Sequence, residues 1–224
     1  MSFYVCGDIH QDIDLGKLTS KRFSAKNLNK NDYILICGDC GAVWDHAGTD
    51  RYLQKWYSDK PWTTLFIDGN HENFDLLEAY PITEWNGGLV RFITPSLIYL
   101  MRGQVYTVDG RKIFTMGGAS SHDKERRKEG FSWWTSELPT EEELETARKN
   151  LAFSENRVDY IFTHCAGNRI QNIVSPEKEQ NRLTDFLDSL ESLSFKEWYF
   201  GHYHTDLQAD KKHIALFEKV IQLW

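Results

Sequence analysis

Five short polar segments recur along the chain, and each directly follows a run of apolar or β-prone residues. They are Gly7-Asp8-Ile9-His10, Gly38-Asp39, Gly69-Asn70-His71-Glu72, Thr163-His164 and Gly201-His202-Tyr203-His204. Ligand sites in α/β sheets form at the carboxyl ends of strands, so segments far apart in the sequence are expected to converge there. The pattern therefore predicts an α/β fold with a polar site at the ends of its strands.

Seven side chains in these segments are good ligands for divalent metal ions. They are Asp8, His10, Asp39, Asn70, His164, His202 and His204. Seven ligands are too many for one tetrahedral ion, but they suit two divalent ions that share a carboxylate. Such a pair of ions most often serves attack of a metal-bridging hydroxide on phosphorus. The segments thus predict a dinuclear metal site that hydrolyses a phosphate ester.

Strand and helix patterns alternate at first, turn to consecutive strands near residues 89–117, and then alternate again. Strands are predicted at 2–6, 32–37, 63–68, 89–93, 97–101, 104–108, 112–116, 158–163, 196–200 and 213–223, the last divided at Glu218-Lys219 into a hairpin. Helices are predicted at 14–23, 49–59, 140–153 and 184–193, the third opening on a capping box at Thr140. The main loops are predicted at 41–48, 81–88, 118–139 and 166–180. This order predicts one α/β domain over residues 1–224, with a mixed sheet or two packed sheets.

Charge and cysteine content limit which kinds of partner the protein can bind and indicate the cellular compartment in which it occurs. Lys and Arg total 26 and Asp and Glu total 33, which gives a net charge of −7 and makes general nucleic-acid binding unfavourable. Cys37 and Cys40 have CxxC spacing, but no second such pair exists, so we predict buried free thiols in a reducing environment. A signal-peptide pattern and a membrane-length apolar run are both missing from the sequence, which favours a cytoplasmic protein with no membrane partner. No residue pattern in the sequence indicates an oligomeric state.

The ordered set GD-x-H, GD, GNHE, H and GH-x-H resembles the calcineurin-like metallophosphoesterase superfamily over residues 7–204. The resemblance implies a layered sandwich of two mixed β-sheets flanked by helices. It assigns one metal to Asp8, His10 and His204, the other to Asn70, His164 and His202, and makes Asp39 the bridge. It also makes His71 the general acid for the leaving oxygen. From the residues alone, either Glu72 or Asp45 could orient this histidine. Manganese is the metal we predict, although iron, zinc, nickel and cobalt also suit these ligands.

Two features bear on the substrate. The run after Asp39 lacks the arginine that grips phosphate in the protein-phosphatase branch of the superfamily. The segment 117–134 is similar to a stretch in bacterial and phage-encoded members. Within it Lys124, Arg126 and Arg127 could bind the phosphate of the substrate, and Trp133 or Trp134 could stack a base or close the site. Lys124, Arg126 and Trp134 are our first candidates for substrate contact. We interpret His46 and His122 as ordinary loop histidines.

These observations favour hydrolysis of a small-molecule or nucleotide phosphate ester, as a diester or a monoester. A serine/threonine protein phosphatase is the alternative within the same chemistry. A nuclease is disfavoured by the acidic charge. A non-catalytic metal-binding scaffold on the same fold is the alternative of another class.

Overall fold

A computed structural model describes residues 1–45 and 48–224 of the chain. The strands are β1 (Phe3–Cys6), β2 (Tyr33–Ile36), β3 (Thr63–Phe66), β4 (Ile82–Trp85), β5 (Gly88–Thr94), β6 (Leu97–Leu100), β7 (Gln104–Val108), β8 (Arg111–Met116), β9 (Tyr160–Thr163), β10 (Glu197–Phe200), β11 (Leu207–Gln208), β12 (His213–Ala215) and β13 (Val220–Gln222). The α-helices are α1 (Gly48–Ser58), α2 (Phe74–Glu78), α3 (Glu141–Phe153), α4 (Asn168–Val174) and α5 (Arg182–Ser189). Short 3₁₀ turns lie at Leu15–Leu18, Lys124–Arg126, Thr135–Glu137 and Leu190–Ser192.

The strands form two mixed sheets, as the resemblance implied. One sheet has the order β13-β1-β2-β3-β6-β5-β4, and its strands β1, β2, β3 and β6 are parallel. The other has the order β11-β12-β10-β9-β8-β7, and its strands β12, β10, β9 and β8 are parallel. Antiparallel strands form the edges of both sheets. β13 and the pair β5–β4 flank the parallel strands of the first sheet, and β11 and β7 flank those of the second.

Three hydrophobic clusters hold the layers together. The central cluster lies between the sheets and joins residues such as Val5 and Leu35 of one sheet to Phe162 and Tyr199 of the other. A second cluster packs α1 on the outer face of the first sheet, and a third packs α3, α4 and α5 on the outer face of the second. Strands covered on both faces explain the continuous apolar runs that precede the polar segments.

The chain after residue 212 differs from the predicted hairpin. β12 lies parallel to β10 in one sheet, whereas β13 lies antiparallel to β1 in the other. The carboxylate of Asp206 accepts hydrogen bonds from the backbone N–H groups of Phe217, Glu218 and Lys219, and these bonds hold the crossing between the sheets. The hairpin prediction was wrong because the partner of each strand is set by distant segments.

Three local predictions also need correction. The predicted loop 81–88 contains β4, which pairs with β5 through a turn whose residues Asn86 and Gly87 have φ angles of 51° and 89°. An Asn-Gly pair is a strong hairpin signal, and it was missed because β4 is largely exposed. The predicted loop 166–180 contains α4, and the predicted helix 14–23 is reduced to one 3₁₀ turn.

Candidate metal centre

The five polar segments converge at one edge of the sandwich. They follow β1, β2 and β3 of the first sheet and β9 and β10 of the second. These five strands are parallel to their neighbours in the set, so their carboxyl ends meet. The predicted convergence is therefore observed, and both sheets contribute to it.

Asp39 lies at the centre of the converging side chains. Its Oδ2 atom is 3.3 Å from Nε2 of His10 and 3.4 Å from Nε2 of His164. Its other oxygen, Oδ1, accepts the backbone N–H of His71 at 2.7 Å. The carboxylate is buried, so it is held between the two histidines with little contact with bulk water.

Asp8 anchors a group with His10 and His204, whose ligand atoms lie within 4.8 Å of one another. The closest pair is Asp8 Oδ2 and His204 Nε2 at 3.1 Å. The carboxylate of Asp8 also accepts the backbone N–H of His202 at 3.0 Å. The structure thus brings together the three side chains that the resemblance assigns to one metal.

The other candidate ligands gather around His164. Its Nε2 atom is 3.1 Å from Oδ1 of Asn70, and its ring is 5.0 Å from the ring of His202. Asn70 is oriented from behind, because its Nδ2 donates to Ser121 Oγ, which in turn donates to the buried Glu137 carboxylate. Sequence reasoning did not identify Ser121 or Glu137, since nothing in the local pattern links them to Asn70.

The chemistry of these side chains fits two divalent ions. Nδ1 of His10 faces the Asp14 carboxylate at 2.7 Å, and Nδ1 of His164 faces the Cys37 carbonyl at 2.7 Å. Both partners are acceptors, so each Nδ1 carries a proton, and each Nε2 can bind a metal ion beside Asp39 once the proton that it carries in the metal-free protein is displaced. Two ligands of one ion with bonds of about 2.1 Å lie roughly 3.0–3.4 Å apart, which agrees with the spacings around Asp39 and Asp8.

The electrostatics agree with a site built for positive charge. Burial alone would raise the pKa of Asp39, but the charge of His164 and hydrogen bonds from His10 and His164 hold this pKa well below its ordinary value. Burial opposes charging of the histidines, yet Asp39 raises the pKa of His10 to about 9 and that of His164 to about 10. Burial and the charge of His164 lower the pKa of His202 to about 3. Without metal, protons therefore supply the positive charge beside Asp39.

The backbone around the site is strained in a consistent way. His10, Asp39, His202 and His204 all have positive φ angles, between 46° and 67°. Non-glycine residues rarely adopt this region, and such strain concentrates at functional sites. Gly69 is required for a different reason, since a Cβ atom there would lie 2.0 Å from Oδ1 of Asp39. The backbone of these segments adopts unfavourable φ angles that direct the candidate ligand side chains into the site, and this conformation costs backbone energy.

His71 stands beside these groups and contacts a residue from a distant loop. One ring nitrogen lies within 4.8 Å of ligand atoms of His10 and Asp39, and Nδ1 is 3.1 Å from Nη1 of Arg127. Arg127 is held by the Asp123 carboxylate at 2.7 Å and by the Ser132 carbonyl at 3.2 Å. Burial lowers the pKa of His71, and the charge of Arg127 lowers it further against the opposing charge of Asp39.

The buried Glu72 has a different neighbour from the one considered above. Its Oε1 accepts the backbone N–H of Cys40 at 2.9 Å, so it supports the turn that follows Asp39. Burial, together with the charges of Asp39 and Asp68, raises its pKa well above the ordinary range. Within the described part of the chain, the His71 ring is hydrogen-bonded to Arg127 and not to Glu72.

The candidate substrate residues occupy three different environments. Lys124 and Arg126 are exposed on a 3₁₀ turn, so their contact with substrate stays a prediction. Trp134 is buried and its Nε1 donates to Asp75 at 2.9 Å, and its contact with substrate also stays a prediction. Its edge packs against Trp44, the tryptophan that lines a cavity beside His71. His122 is exposed, and His46 lies outside the described residues.

All four cysteines are free and buried, as predicted. Cys37 serves the site through its carbonyl, which fixes His164, and not through its thiol. Among the residues with described positions, none of the helices is both long and apolar enough to cross a membrane.

Comparison with known proteins agrees with this geometry. The sequence model of the family described as calcineurin-like phosphoesterase matches residues 1–206. The chain belongs to the calcineurin-like phosphoesterase family. The predicted family and the predicted fold of two mixed sheets are therefore confirmed. The candidate ligands agree with the divalent metal ions that members of this family typically use.

Curated members of the family include lariat debranching enzymes that are similar to this chain. The enzyme of Caenorhabditis briggsae is 31% identical over 132 residues, covering 53% of this chain and 24% of its own length. The human enzyme is 26% identical over 248 aligned residues, covering 96% of this chain and 44% of its own length. The chain thus aligns with about a quarter to just under half of the length of these relatives. A solved structure of phosphopantetheinyl hydrolase from Mycobacterium tuberculosis aligns over 96% of this chain and 89% of its own, with a TM-score of 0.48 and 14% identity.

Proposed function

We propose that this protein is a dinuclear metal-dependent phosphoesterase that hydrolyses a phosphate ester of an organic alcohol. The observation that carries the proposal is the position of Asp39, whose Oδ2 lies within 3.4 Å of histidines from both candidate metal groups. A single carboxylate between two sets of N/O ligands is the arrangement that a pair of divalent ions requires.

The ligands would divide into two sets around Asp39. Asp8, His10 and His204 would hold one ion, and Asn70, His164 and His202 the other. When bound, two divalent ions would lower the pKa of a water between them and draw charge from the phosphoryl oxygens. Manganese is the ion we propose first, since oxygen and imidazole ligands accept it readily.

His71 would protonate the leaving oxygen. Arg127 has only donors, so the Nδ1 atom of His71 must accept from it, and the proton of a neutral imidazole then lies on Nε2. Burial and the charge of Arg127 lower the pKa of His71, so the ring is neutral near pH 7 and offers its Nε2–H to the leaving oxygen. In the reaction, a water oxygen forms a bond to phosphorus and that water loses one proton, while the bond to the leaving oxygen breaks. The leaving oxygen takes the Nε2 proton of His71, and the proton lost by the water restores it.

Arg127 would also contact the phosphoryl group. Nε and Nη1 of Arg127 bond to Asp123, His71 and Ser132, whereas Nη2 donates no hydrogen bond within the described residues. A guanidinium beside the acid can stabilise the charge that grows on the phosphoryl oxygens. Arg127 would thus replace, from another loop, the arginine that the segment after Asp39 lacks.

The first test is hydrolysis of p-nitrophenyl phosphate and bis-p-nitrophenyl phosphate with manganese. We expect turnover of at least one ester, loss of turnover with chelator, and recovery when manganese is restored. Bound metal without hydrolysis of either ester would favour the non-catalytic scaffold. Turnover of phosphopeptides together with inactivity on small esters would favour the protein phosphatase.

The acid role of His71 is tested by His71→Gln. This variant should keep both metals and slow turnover of an alkyl ester by about a hundredfold or more, because general acid catalysis contributes on that order. The loss should shrink for p-nitrophenyl esters, whose leaving oxygen needs no proton. Loss of metal from the variant would instead make His71 a ligand.

A further inference from the structure

A cavity of about 360 Å³ opens beside the metal centre on the side of His71. It is lined by His10, Gln11, Ile13, Gly41, Trp44 and His71. His10 and His71 also belong to a group of potential ligands around Asp39. Any group that fills the cavity is therefore attached close to the oxygen that His71 would protonate.

We propose that this cavity binds the nucleobase of the alcohol that leaves, so that the substrate is a phosphate ester of a nucleoside. The inference rests on the proposed phosphoesterase function and names its substrate class. It assigns the recognition to Trp44, Ile13 and Gln11, none of which belongs to the metal-ligand motifs.

The walls of the cavity suit a flat ring. Trp44 offers an aromatic surface, and Ile13 is a large apolar residue whose exposed fraction is 79%. An isoleucine so exposed on the strained loop after His10 has no packing role of its own. Bases of any sequence can stack on aromatic side chains, because each base has a π-face. The two histidines are the only titratable side chains among the described lining residues.

Trp44 is rigidly fixed for such a role. Its backbone N–H donates to Asp50 at 2.8 Å, and its carbonyl accepts from Asn73 at 2.6 Å. The ring of Trp134 packs edge-on against it with centroids 5.7 Å apart, and Trp134 is itself tied to Asp75. Asn73 caps the helix that directly follows the His71 segment. The aromatic wall and the acid are therefore held by the same loop, which sets the distance between base and leaving oxygen.

Gln11 distinguishes a nucleobase from an alkyl or phenyl group. It directly follows His10, and its Cγ lies against Gly41, where a Cβ atom would approach it to 2.7 Å. Its side-chain amide makes no hydrogen bond with any other described residue. An amide presents both a donor and an acceptor, which is what the edge of a base can pair with. A purely apolar occupant would bury this amide without a partner, which is unfavourable.

The test compares a dinucleoside monophosphate with the same diester carrying an abasic leaving sugar. Wild type should prefer the base-containing leaving group by roughly tenfold or more in kcat/KM, the scale of stacking on one aromatic ring. Trp44→Ala should abolish most of that preference, and Gln11→Ala should reduce it. Trp85→Ala is the matched control, because Trp85 packs on Tyr33 and Tyr106 away from this cavity and should keep the full preference.

Two further measurements keep the proposal separable from the proposed function. Bis-p-nitrophenyl phosphate reports hydrolysis that does not depend on a nucleobase. If this ester is hydrolysed but the base-containing and abasic diesters react at equal rates, the base site is wrong while the phosphoesterase function stands. Saturation-transfer NMR of adenosine with the metal-free protein reports binding without turnover, and its signal should disappear in Trp44→Ala but persist in Trp85→Ala. If Trp44→Ala does not fold, Ile13→Asp removes the opposite wall at an exposed position and should give the same two losses. Persistence of the base preference in that variant would contradict the proposal.

Discussion

At the scale of single residues, the site depends on side chains whose atoms are fixed by neighbours outside the motifs. Asp14 and the Cys37 carbonyl orient His10 and His164, while Ser121 and Glu137 orient Asn70. Such supporting bonds commonly affect metal affinity by about 10–100-fold. The motifs contain the candidate ligands, and these neighbouring residues fix which atom of each ligand points toward the centre of the site.

Asp39→Asn should lose affinity for both ions. The amide keeps the shape of the side chain, but it removes the negative charge that lies between His10 and His164. We expect fewer than two metals per chain at concentrations that saturate wild type, measured by elemental analysis after dialysis. Retention of two ions at wild-type affinity would contradict the bridging role.

Arg127→Ala should lower kcat/KM by about tenfold or more, because hydrogen bonds to charged groups contribute about 1.5–3 kcal/mol. Metal content should be unchanged, since Arg127 bonds to His71, Asp123 and Ser132 and to none of the proposed ligands. Lys128→Ala is the matched control from the same loop, because its side chain is exposed and is not a candidate for substrate contact, and we expect it to have a small effect. An equal loss in both variants would indicate a general electrostatic effect of the loop.

At the scale of secondary-structure elements, local signals were accurate where the chain determines its own conformation. The capping box at Thr140 begins α3 as predicted, with Thr140 Oγ1 accepting from Glu143 N–H and Glu143 accepting from Thr140 N–H. The predicted helix at 14–23 was wrong because the carboxylate of Asp14 bonds to His10 and makes no cap. A capping residue used by a site is not available to a helix.

Thr140→Ala should destabilise the fold by about 1 kcal/mol, the usual contribution of a threonine cap. Chemical denaturation should show a lower midpoint with an unchanged slope. Thr146→Ala lies on the exposed face of the same helix and is the control, since its hydroxyl only bonds back to the carbonyl of Glu142. A midpoint for Thr140→Ala equal to that of this control would show that the cap contributes nothing measurable.

At the scale of the whole molecule, metal binding, protonation and stability are coupled. The pKa of His10, about 9, and that of His164, about 10, lie above the value of an unfolded histidine near 6.5. Their contribution to metal-free stability is therefore complete below about pH 6.5 and is lost as pH rises through about 9 to 10. Metal ions compete with these same protons, so their binding strengthens over that range.

We therefore expect the stabilisation by manganese, measured as the rise in Tm over the metal-free protein, to increase from pH 6.5 to pH 9. Calorimetry in buffers of different ionisation enthalpy should show release of protons on binding. Asp39→Asn should weaken both effects, because Asp39 raises both histidine pKa values. A rise in Tm that does not change with pH would contradict the proton-linked site.

The residues on their own predict where the strands before the site end, which side chains are metal ligands and which class of chemistry they suit. Glycines and apolar runs mark where strands stop, and aspartate and histidine carry their chemistry wherever they are placed. Single-domain organisation, cytoplasmic location and the identity of the metal stay predictions. Three features are visible only in the folded chain. β12 and β13 lie in different sheets, and the Arg127 guanidinium contacts the His71 ring although 56 positions separate the two residues. Trp44 lines the cavity, whereas Trp134 is buried. The physical reason is that these contacts join loops whose approach is set by packing of the two sheets, and no local pattern encodes that packing.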